Sequence, residues 1–264
     1  MFLKKRIPRE KTGIVLILRG HIRDGFNDSY MYQFVKYLQT NYNLKLYIHT
    51  WSQMNGKHSW KNYDNNFIHK ENLTQVTDQI IRKYFKDIQI ETIIIEDEKD
   101  NEIIGSIDGF ICKSRCPKIA WKNMWYGKYS LYKQIENIVD SKMFTIDTRF
   151  DLFTYSNSCH GFFNNQNILK KIEEVNYDKN NIHFLSNKFI PGIDNIIFGQ
   201  FTLLYSIVKI FHFQLDSIIQ QYSSVTHQEF LVPLICKHLK SKDLRDKPML
   251  NERKMLLKKI EFLV

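Results

Sequence analysis

Runs of apolar residues alternate with segments of helical periodicity through the first half of the chain. The run "GIVLILR" at residues 13–19 is apolar up to its last position, which is typical of a strand covered on both faces. In the next segment apolar side chains recur at helical spacing, at Met31, Phe34, Val35 and Leu38. Further strands are predicted at 45–51 and 90–96, with a helix over 74–85 between them. This βαβαβ order predicts a mostly parallel sheet with helices on both faces.

The second half of the chain continues with mixed elements and no clear linker. A helix is predicted over residues 121–139, and strands are predicted at 144–153 and 182–186. Two helices are expected near 195–211 and 227–239. The fold class expected is therefore α/β, a Rossmann-related single domain whose central sheet is flanked by helices.

The strand at 144–153, "FTIDTRFDLF", carries a row of charges. In an extended chain alternate side chains share a face, so Asp147, Arg149 and Asp151 would lie together. An edge strand with a solvated outer face would explain such a row. A ligand site would explain it as well, because charges beside a core are usually paired, bound to a metal or used in function.

Charge and cysteine content narrow the range of partners and compartments. The formal net charge of +10 favours an anionic partner, but the basic residues are spread along the chain and form no single stripe for nucleic acid.

The four cysteines are scattered, so free thiols are expected. The first residues lack the apolar run of a signal peptide, and the apolar stretch 196–213 contains Gln200, Lys209 and His212. A cytoplasmic protein without a membrane span is therefore expected.

Candidate binding residues follow the predicted strands, at the sheet edge where ligands of parallel sheets bind. After the first strand, Gly20 permits close backbone approach, and Arg19, His21 and Arg23 could contact a diphosphate. A basic surface turn is the alternative. Neither a G-x-G-x-x-G fingerprint nor a P-loop is present in the sequence, which argues against those nucleotide-binding folds.

Two further segments carry candidate chemistry. His49 and Trp51 end the second strand, where the tryptophan is either a core residue or a stacking platform. Asp194 precedes the apolar segment "NIIFGQF", where an aspartate serves either as a helix N-cap or as a catalytic base.

Taken in order, five segments resemble a known family. They are "IVLILRGHIRDG", "LYIHTW", "MWYGKYSLYKQIE", "TIDTRFDLF" and "IDNIIFGQFTLL", and they span about residues 13–205. This series resembles the GT-A-type glycosyltransferases of bacterial and viral surface-polysaccharide synthesis, including lipopolysaccharide and capsule synthesis. The resemblance implies one GT-A-like domain over residues 1–264, with a nucleotide-binding half at about 13–150 and an acceptor half at about 151–264.

The resemblance also implies substrates and site residues. The donor would be a nucleotide-diphosphate-sugar and the acceptor a carbohydrate or glycolipid, with peripheral contact to a membrane surface allowed and no nucleic acid expected. The donor site would be formed by residues carried over by position, namely Arg19, Gly20, His21, Arg23, His49, Trp51, Tyr126, Tyr129 and Arg149. Asp151 would contact a divalent cation (Mg²⁺ or Mn²⁺) or the diphosphate, and Asp194 would take the acceptor proton.

One departure from the family pattern leaves metal dependence open. The usual Asp-x-Asp motif is replaced by Arg149-Phe150-Asp151, so Arg149 could neutralise the diphosphate without a metal. Asp147 and Asp151 would be about 13 Å apart on an extended strand, too far to share one ion unless the strand bends. Two other function classes also stay open. One is a non-catalytic basic protein that binds nucleic acid or another polyanion, and the other is a metal-dependent nucleotidyltransferase.

Overall fold

Seven strands form one mixed sheet in the computed structural model, which describes residues 11–56, 74–153, 165–176, 182–185, 196–232, 234–235 and 260–263. The strands are β1 (Gly13–Arg19), β2 (Asn43–Trp51), β3 (Thr92–Glu96), β4 (Phe144–Arg149), β5 (Ile182–Leu185), β6 (Ile196–Gln200) and β7 (Ile260–Leu263). Their order across the sheet is β3-β2-β1-β4-β6-β5-β7. Neighbouring strands are parallel except where β6 pairs with β4 and β5. The α/β class and the mostly parallel sheet are therefore confirmed.

α-Helices cover the two faces of this sheet within the described residues. They are α1 (Tyr30–Asn41), α2 (Asp78–Phe85), α3 (Lys118–Ile135), α4 (Asn165–Asn176) and α5 (Phe201–Gln221). Side chains of α1, α2 and α4 pack with Ile14, Leu16 and Leu18 of β1 on one face. Side chains of α3 and α5 pack with Val15 and Ile17 on the other. Because β1 is buried on both faces, its sequence is a continuous apolar run rather than an alternating one.

Several predicted elements differ from the structure. The helix predicted over 74–85 begins at Asp78, and the one predicted over 121–139 spans Lys118–Ile135. The strand predicted at 144–153 ends at Arg149, and a 3₁₀ turn, Phe150–Leu152, follows it. The helix expected from residue 195 is wrong at its start, because residues 196–200 form β6 and only then does α5 begin. Apolar runs of a few residues do not distinguish a buried strand from a buried helix, and pairing with β4 decides in favour of the strand. The helix predicted at 227–239 is partly outside the described residues, and the described part includes a 3₁₀ turn at Gln228–Phe230.

Two smaller expectations can be compared with the described residues. Among them, no helix is long and apolar enough to cross a membrane. Cys112 and Cys116 are free thiols, as predicted, while Cys159 and Cys236 lie outside the described residues.

The ring of Trp125 joins α3 to α5, and truncating it should destabilise the fold. Trp125 is fully buried and stacks on Phe211 with ring centroids 4.3 Å apart. Trp125→Ala should lower the free energy of unfolding by about 3–5 kcal/mol, the usual cost of deleting a buried aromatic ring. Ile138→Ala, at a side chain that is 61% exposed, is the control and should change it by less than about 0.5 kcal/mol. Equal effects in urea titrations would contradict this packing.

Candidate functional site

Three polar residues lie side by side where β2, β1 and β4 end. Arg19 is in register with His49 on β2 and with Arg149 on β4. In a parallel sheet, residues in register project to the same face. These three side chains therefore lie next to one another across the sheet, on the face that α3 covers. In the sequence, β1 is apolar until Arg19, whereas β2 and β4 also carry polar residues before their ends.

A buried carboxylate lies one layer below them. Asp147, on the same face of β4 as Arg149, is only 1% exposed. Nε of Arg19 donates to its Oδ1 at 2.6 Å, Nζ of Lys128 lies 3.3 Å from the same oxygen, and the Tyr132 hydroxyl donates to Oδ2 at 3.2 Å. Burial by itself would raise the pKa of Asp147, but the adjacent Lys128 and Arg19 outweigh it and hold this pKa below its ordinary value. Asp147 is therefore ionised within the core.

A second carboxylate lies in the 3₁₀ turn after β4. Nε and Nη2 of Arg149 donate to the two oxygens of Asp151, at 2.8 and 2.6 Å, and Nη1 of Arg23 donates to Oδ2 at 2.5 Å. The expectation that Asp151 continues the extended row is wrong, because the chain turns at Phe150. This turn lets Arg149 fold onto Asp151 in a two-point contact, which the alternation of an extended strand would not suggest.

The loop after β1 is held against the ends of β2 and β4. Gly20 has a φ of +86°, and its N–H donates to the carbonyl of His49. Arg23 has a φ of 49°, uncommon for a residue with a side chain, and its N–H donates to the carbonyl of Met54. A Cβ on Gly25 would lie 2.8 Å from the carbonyl oxygen of Phe150, so only glycine fits at this point. This loop geometry directs Arg23 toward Asp151.

These elements enclose a cavity of about 810 Å³, open mouth included, which we call the strand-end cavity. Its lining includes eight residues singled out from the sequence, namely Arg19, Gly20, His21, Arg23, His49, Trp51, Arg149 and Asp151. The juxtaposition predicted from the sequence is therefore found, at the carboxyl edge of the parallel strands. Tyr126 lies behind the cavity, with its ring centroid 6.4 Å from that of Trp51. Tyr129 instead stacks on His212 of α5 at 4.2 Å, and Asp194 lies outside the described residues.

A buried hydrogen-bond network fixes one wall of the cavity. Nε2 of His49 contacts Glu96 at 2.8 Å, and Ser130 of α3 donates to the other oxygen of that carboxylate at 2.9 Å. Burial would raise the pKa of Glu96, yet the hydrogen bonds from His49, Ser130 and Tyr126 lower it overall. The ring of His49 packs directly on α3, since a Cβ on Gly127 would lie 2.5 Å from its Cε1.

The opposite wall contains a histidine bonded to two acceptors. Nδ1 of His21 lies 3.2 Å from the carbonyl oxygen of Gln53, and Nε2 lies 2.9 Å from Oε1 of Glu98. Nδ2 of Asn123 also donates to this Oε1, at 3.3 Å. A carbonyl oxygen can only accept, so the contact with Gln53 is a hydrogen bond in the tautomer that carries the proton on Nδ1.

Sequence reasoning assigned Tyr126 and Tyr129 of α3 to the site and missed the residues of this helix that line the cavity. Lys128, Trp121, Asn123 and Met124 of this helix line the cavity, together with Gln228 and Glu229 from the 3₁₀ turn after α5. For Lys128 a signal was present. It falls on the apolar stripe of α3 formed by Trp121, Trp125, Tyr132 and Ile135, where a lysine is rarely tolerated without a partner.

The described residues do not fit a divalent cation at Asp151. Magnesium and manganese favour a site built mainly from oxygen ligands, whereas Asp151 accepts from two guanidinium groups and Asp147 is enclosed by Arg19 and Lys128. Within the described part of the chain, no group of three or more histidine, cysteine, aspartate or glutamate residues could hold a metal ion.

Comparisons with protein-family models, with curated proteins and with solved structures found no match to this chain. The functional interpretation depends on the geometry of the strand-end cavity.

Substituting Gly127 should disturb this cavity through His49. In Gly127→Ala the new methyl group overlaps the imidazole ring, so His49 must move and its bond to Glu96 weakens. We expect a loss of about 1–3 kcal/mol in the free energy of unfolding, typical of overpacking in a core. Gly13→Ala is the matched control, because its Cβ would lie 3.6 Å from Met143, an ordinary contact. If both variants unfold like the wild type in urea, the close packing of His49 on α3 is wrong.

The Asp147 cluster should make stability depend on pH in a defined direction. Removing one partner of a buried ion pair costs about 3–5 kcal/mol, so Asp147→Asn should lose about that much at pH 7. The folded-state pKa of Asp147 is lowered, so its contribution is present above the unfolded value of about 3.9 and is lost as pH falls through the folded-state pKa. In urea unfolding, the gap between wild type and variant should therefore shrink on acidification. A gap that is independent of pH would contradict the buried ionised carboxylate.

Proposed function

We propose that this protein is a GT-A-like glycosyltransferase, and that the strand-end cavity binds the diphosphate of a nucleotide-sugar donor. The sugar would be transferred to a carbohydrate or glycolipid acceptor, as in the synthesis of surface glycans. The observation that carries the proposal is the charge distribution at the ends of β1 and β4.

Four cationic side chains share two carboxylates in this cluster. Arg19 and Lys128 flank Asp147, and Arg23 and Arg149 flank Asp151. The cluster therefore holds more positive than negative charge. A nucleotide-sugar carries one negative charge on each of its two phosphates, and guanidinium groups bind phosphate oxygens through directed, charge-assisted hydrogen bonds. Glu98 and Glu229 also line the cavity, so the positive charge is concentrated at the strand ends rather than spread over the whole lining.

The position and lining of the cavity support the same ligand class. Trp51 and Trp121 contribute aromatic surface to a lining that is otherwise largely polar. Ligands of parallel α/β sheets bind at the carboxyl ends of the strands, which is where this cavity opens.

The proposed reaction uses basic side chains where many glycosyltransferases use a metal. As the sugar–oxygen bond breaks, negative charge develops on the departing diphosphate. Fixed cations next to that group stabilise the transition state more than the ground state. In this proposal Asp151 is a positioning residue, because it orients the guanidinium groups of Arg23 and Arg149. A nucleotidyltransferase with two metal ions would instead need grouped carboxylates whose oxygens can bind the ions.

A titration with nucleotides tests the proposal. We expect that, in calorimetry with UDP, GDP, ADP and dTDP, at least one nucleoside diphosphate binds, more tightly than its monophosphate and with an affinity unchanged by chelator. Arg149→Gln should weaken that affinity about tenfold or more, since a hydrogen bond to a charged group contributes about 1.5–3 kcal/mol. Incubation with the corresponding nucleotide-sugars should then give slow hydrolysis or transfer.

Arg82→Gln is the matched control, because Arg82 lies on α2 in an exposed ion pair with Asp78 and should leave nucleotide binding unchanged. Absence of binding by every diphosphate would refute the proposal. If duplex DNA or heparin binds instead, with an affinity that falls steeply with salt, the protein is a polyanion-binding protein.

A further inference from the structure

A second cavity adjoins the strand-end cavity and shares part of its wall. This adjoining cavity has a volume of about 1060 Å³, open mouth included. Four residues line both cavities, namely His21, Trp51, Glu98 and Asn123. Molecules in the two cavities would therefore share these four side chains as contacts.

The adjoining cavity differs in chemistry from the strand-end cavity. None of the four cations of the strand-end cluster lines it. Its polar lining consists mainly of hydroxyl, amide and carboxylate groups, including those of Ser52, Gln53, Asp97 and Asp108, with Lys99 as its basic residue. Hydroxyl and amide groups both donate to and accept from hydroxyl groups, and carboxylates accept from them. Trp51, Ile107 and Ile119 contribute apolar side chains to the lining. This lining fits a neutral, hydroxyl-rich ligand better than a phosphate.

The shared wall holds its carboxylate in a fixed position. Glu98 accepts from His21 and Asn123, which belong to the loop after β1 and to α3. The His21 ring is itself confined, because a Cβ on Gly56 would lie 2.2 Å from Nε2. Nδ1 of His21 contacts the carbonyl of Gln53 and Nε2 contacts Glu98, so both ring nitrogens constrain the orientation of the ring. Glu98 is thus a positioned carboxylate between a cationic cavity and a hydroxyl-binding one.

We propose that the adjoining cavity binds the carbohydrate acceptor and that Glu98 is the general base, with His21 as its positioning residue. This inference rests on the proposed function of the strand-end cavity. In the reaction, an acceptor hydroxyl oxygen forms a bond to the anomeric carbon of the donor sugar. The bond from that carbon to the diphosphate oxygen breaks, its electron pair stays on the diphosphate, and the hydroxyl proton passes to Glu98.

This assignment differs from the sequence-based hypothesis, which gave the proton to Asp194. Both carboxylates can be tested in one assay, with the nucleotide-sugar whose nucleotide binds in calorimetry as donor. The acceptor is water, or a panel of methyl glycosides of common monosaccharides. We expect Glu98→Gln to lower kcat about a hundredfold or more, the scale of a lost general base, with nucleotide affinity within about twofold of wild type. Glu98→Asp should restore part of the rate, and Asp194→Asn should keep most of it.

The positioning role of His21 has its own readout. His21→Gln and Gly56→Ala should both lower kcat while the KM for the donor stays within about twofold, because they misplace the base without touching the diphosphate cluster. Glu91→Gln is the matched control. Glu91 is exposed just before β3, at the opposite end of that strand from Glu98, and its substitution should leave kcat unchanged.

The outcomes separate the two proposals. If wild-type protein binds no nucleoside diphosphate, or neither hydrolyses nor transfers any donor, the proposed function is wrong and this inference fails with it. If wild type is active and Glu98→Gln is equally active, or if Asp194→Asn alone abolishes turnover, Glu98 is not the base. If Glu98→Gln weakens nucleotide binding as much as it lowers kcat, Glu98 belongs to the donor site and the acceptor assignment is wrong.

Discussion

The buried carboxylate of Asp147 is the constraint on which the site depends. An ion removed from water costs several kcal/mol unless cations and hydrogen-bond donors replace the water. Here Arg19 comes from β1, and Lys128 and Tyr132 come from α3. The ion pairs and hydrogen bonds to the Asp147 carboxylate therefore fix β4, β1 and α3 relative to one another. It also concentrates two cations beneath the mouth of the cavity, so the same ion cluster that holds the elements together sets the electrostatic character of the binding site.

The apolar pattern predicted the part of the fold that depends on burial alone. β1 occupies residues 13–19 as expected, and all four apolar positions predicted for α1 are buried. These elements have long, unambiguous patterns. β6 was not predicted, because its five residues continue without a break into the apolar sequence of α5. The end of β6 is determined by its pairing with β4 and β5. Such pairing between distant residues leaves no local signal in the sequence.

The candidate site was predictable where its residues end strands, and unpredictable where they come from helices. Arg19, His49 and Arg149 could be assigned to one edge because the carboxyl ends of parallel strands meet there. The turn at Phe150 could not be predicted, since Phe150 and Leu152 suit a strand as well as a 3₁₀ turn. The contact between His21 and Glu98 joins residues 77 positions apart in sequence, and it arises only because the loops after β1 and β3 meet. Neither residue carries a local pattern that indicates the other.

Two adjacent cavities with different polar linings share four residues in this protein. Charge-rich contacts lie at the ends of β1 and β4, while the groups suited to hydroxyls lie beyond His21 and Glu98. Glu98 lines both cavities, so its charge would offset part of the attraction between the arginines and a diphosphate. Its contacts with His21 and Asn123 hold the carboxylate in a fixed position. In the proposed reaction, an anionic donor and a neutral acceptor would meet at this positioned carboxylate.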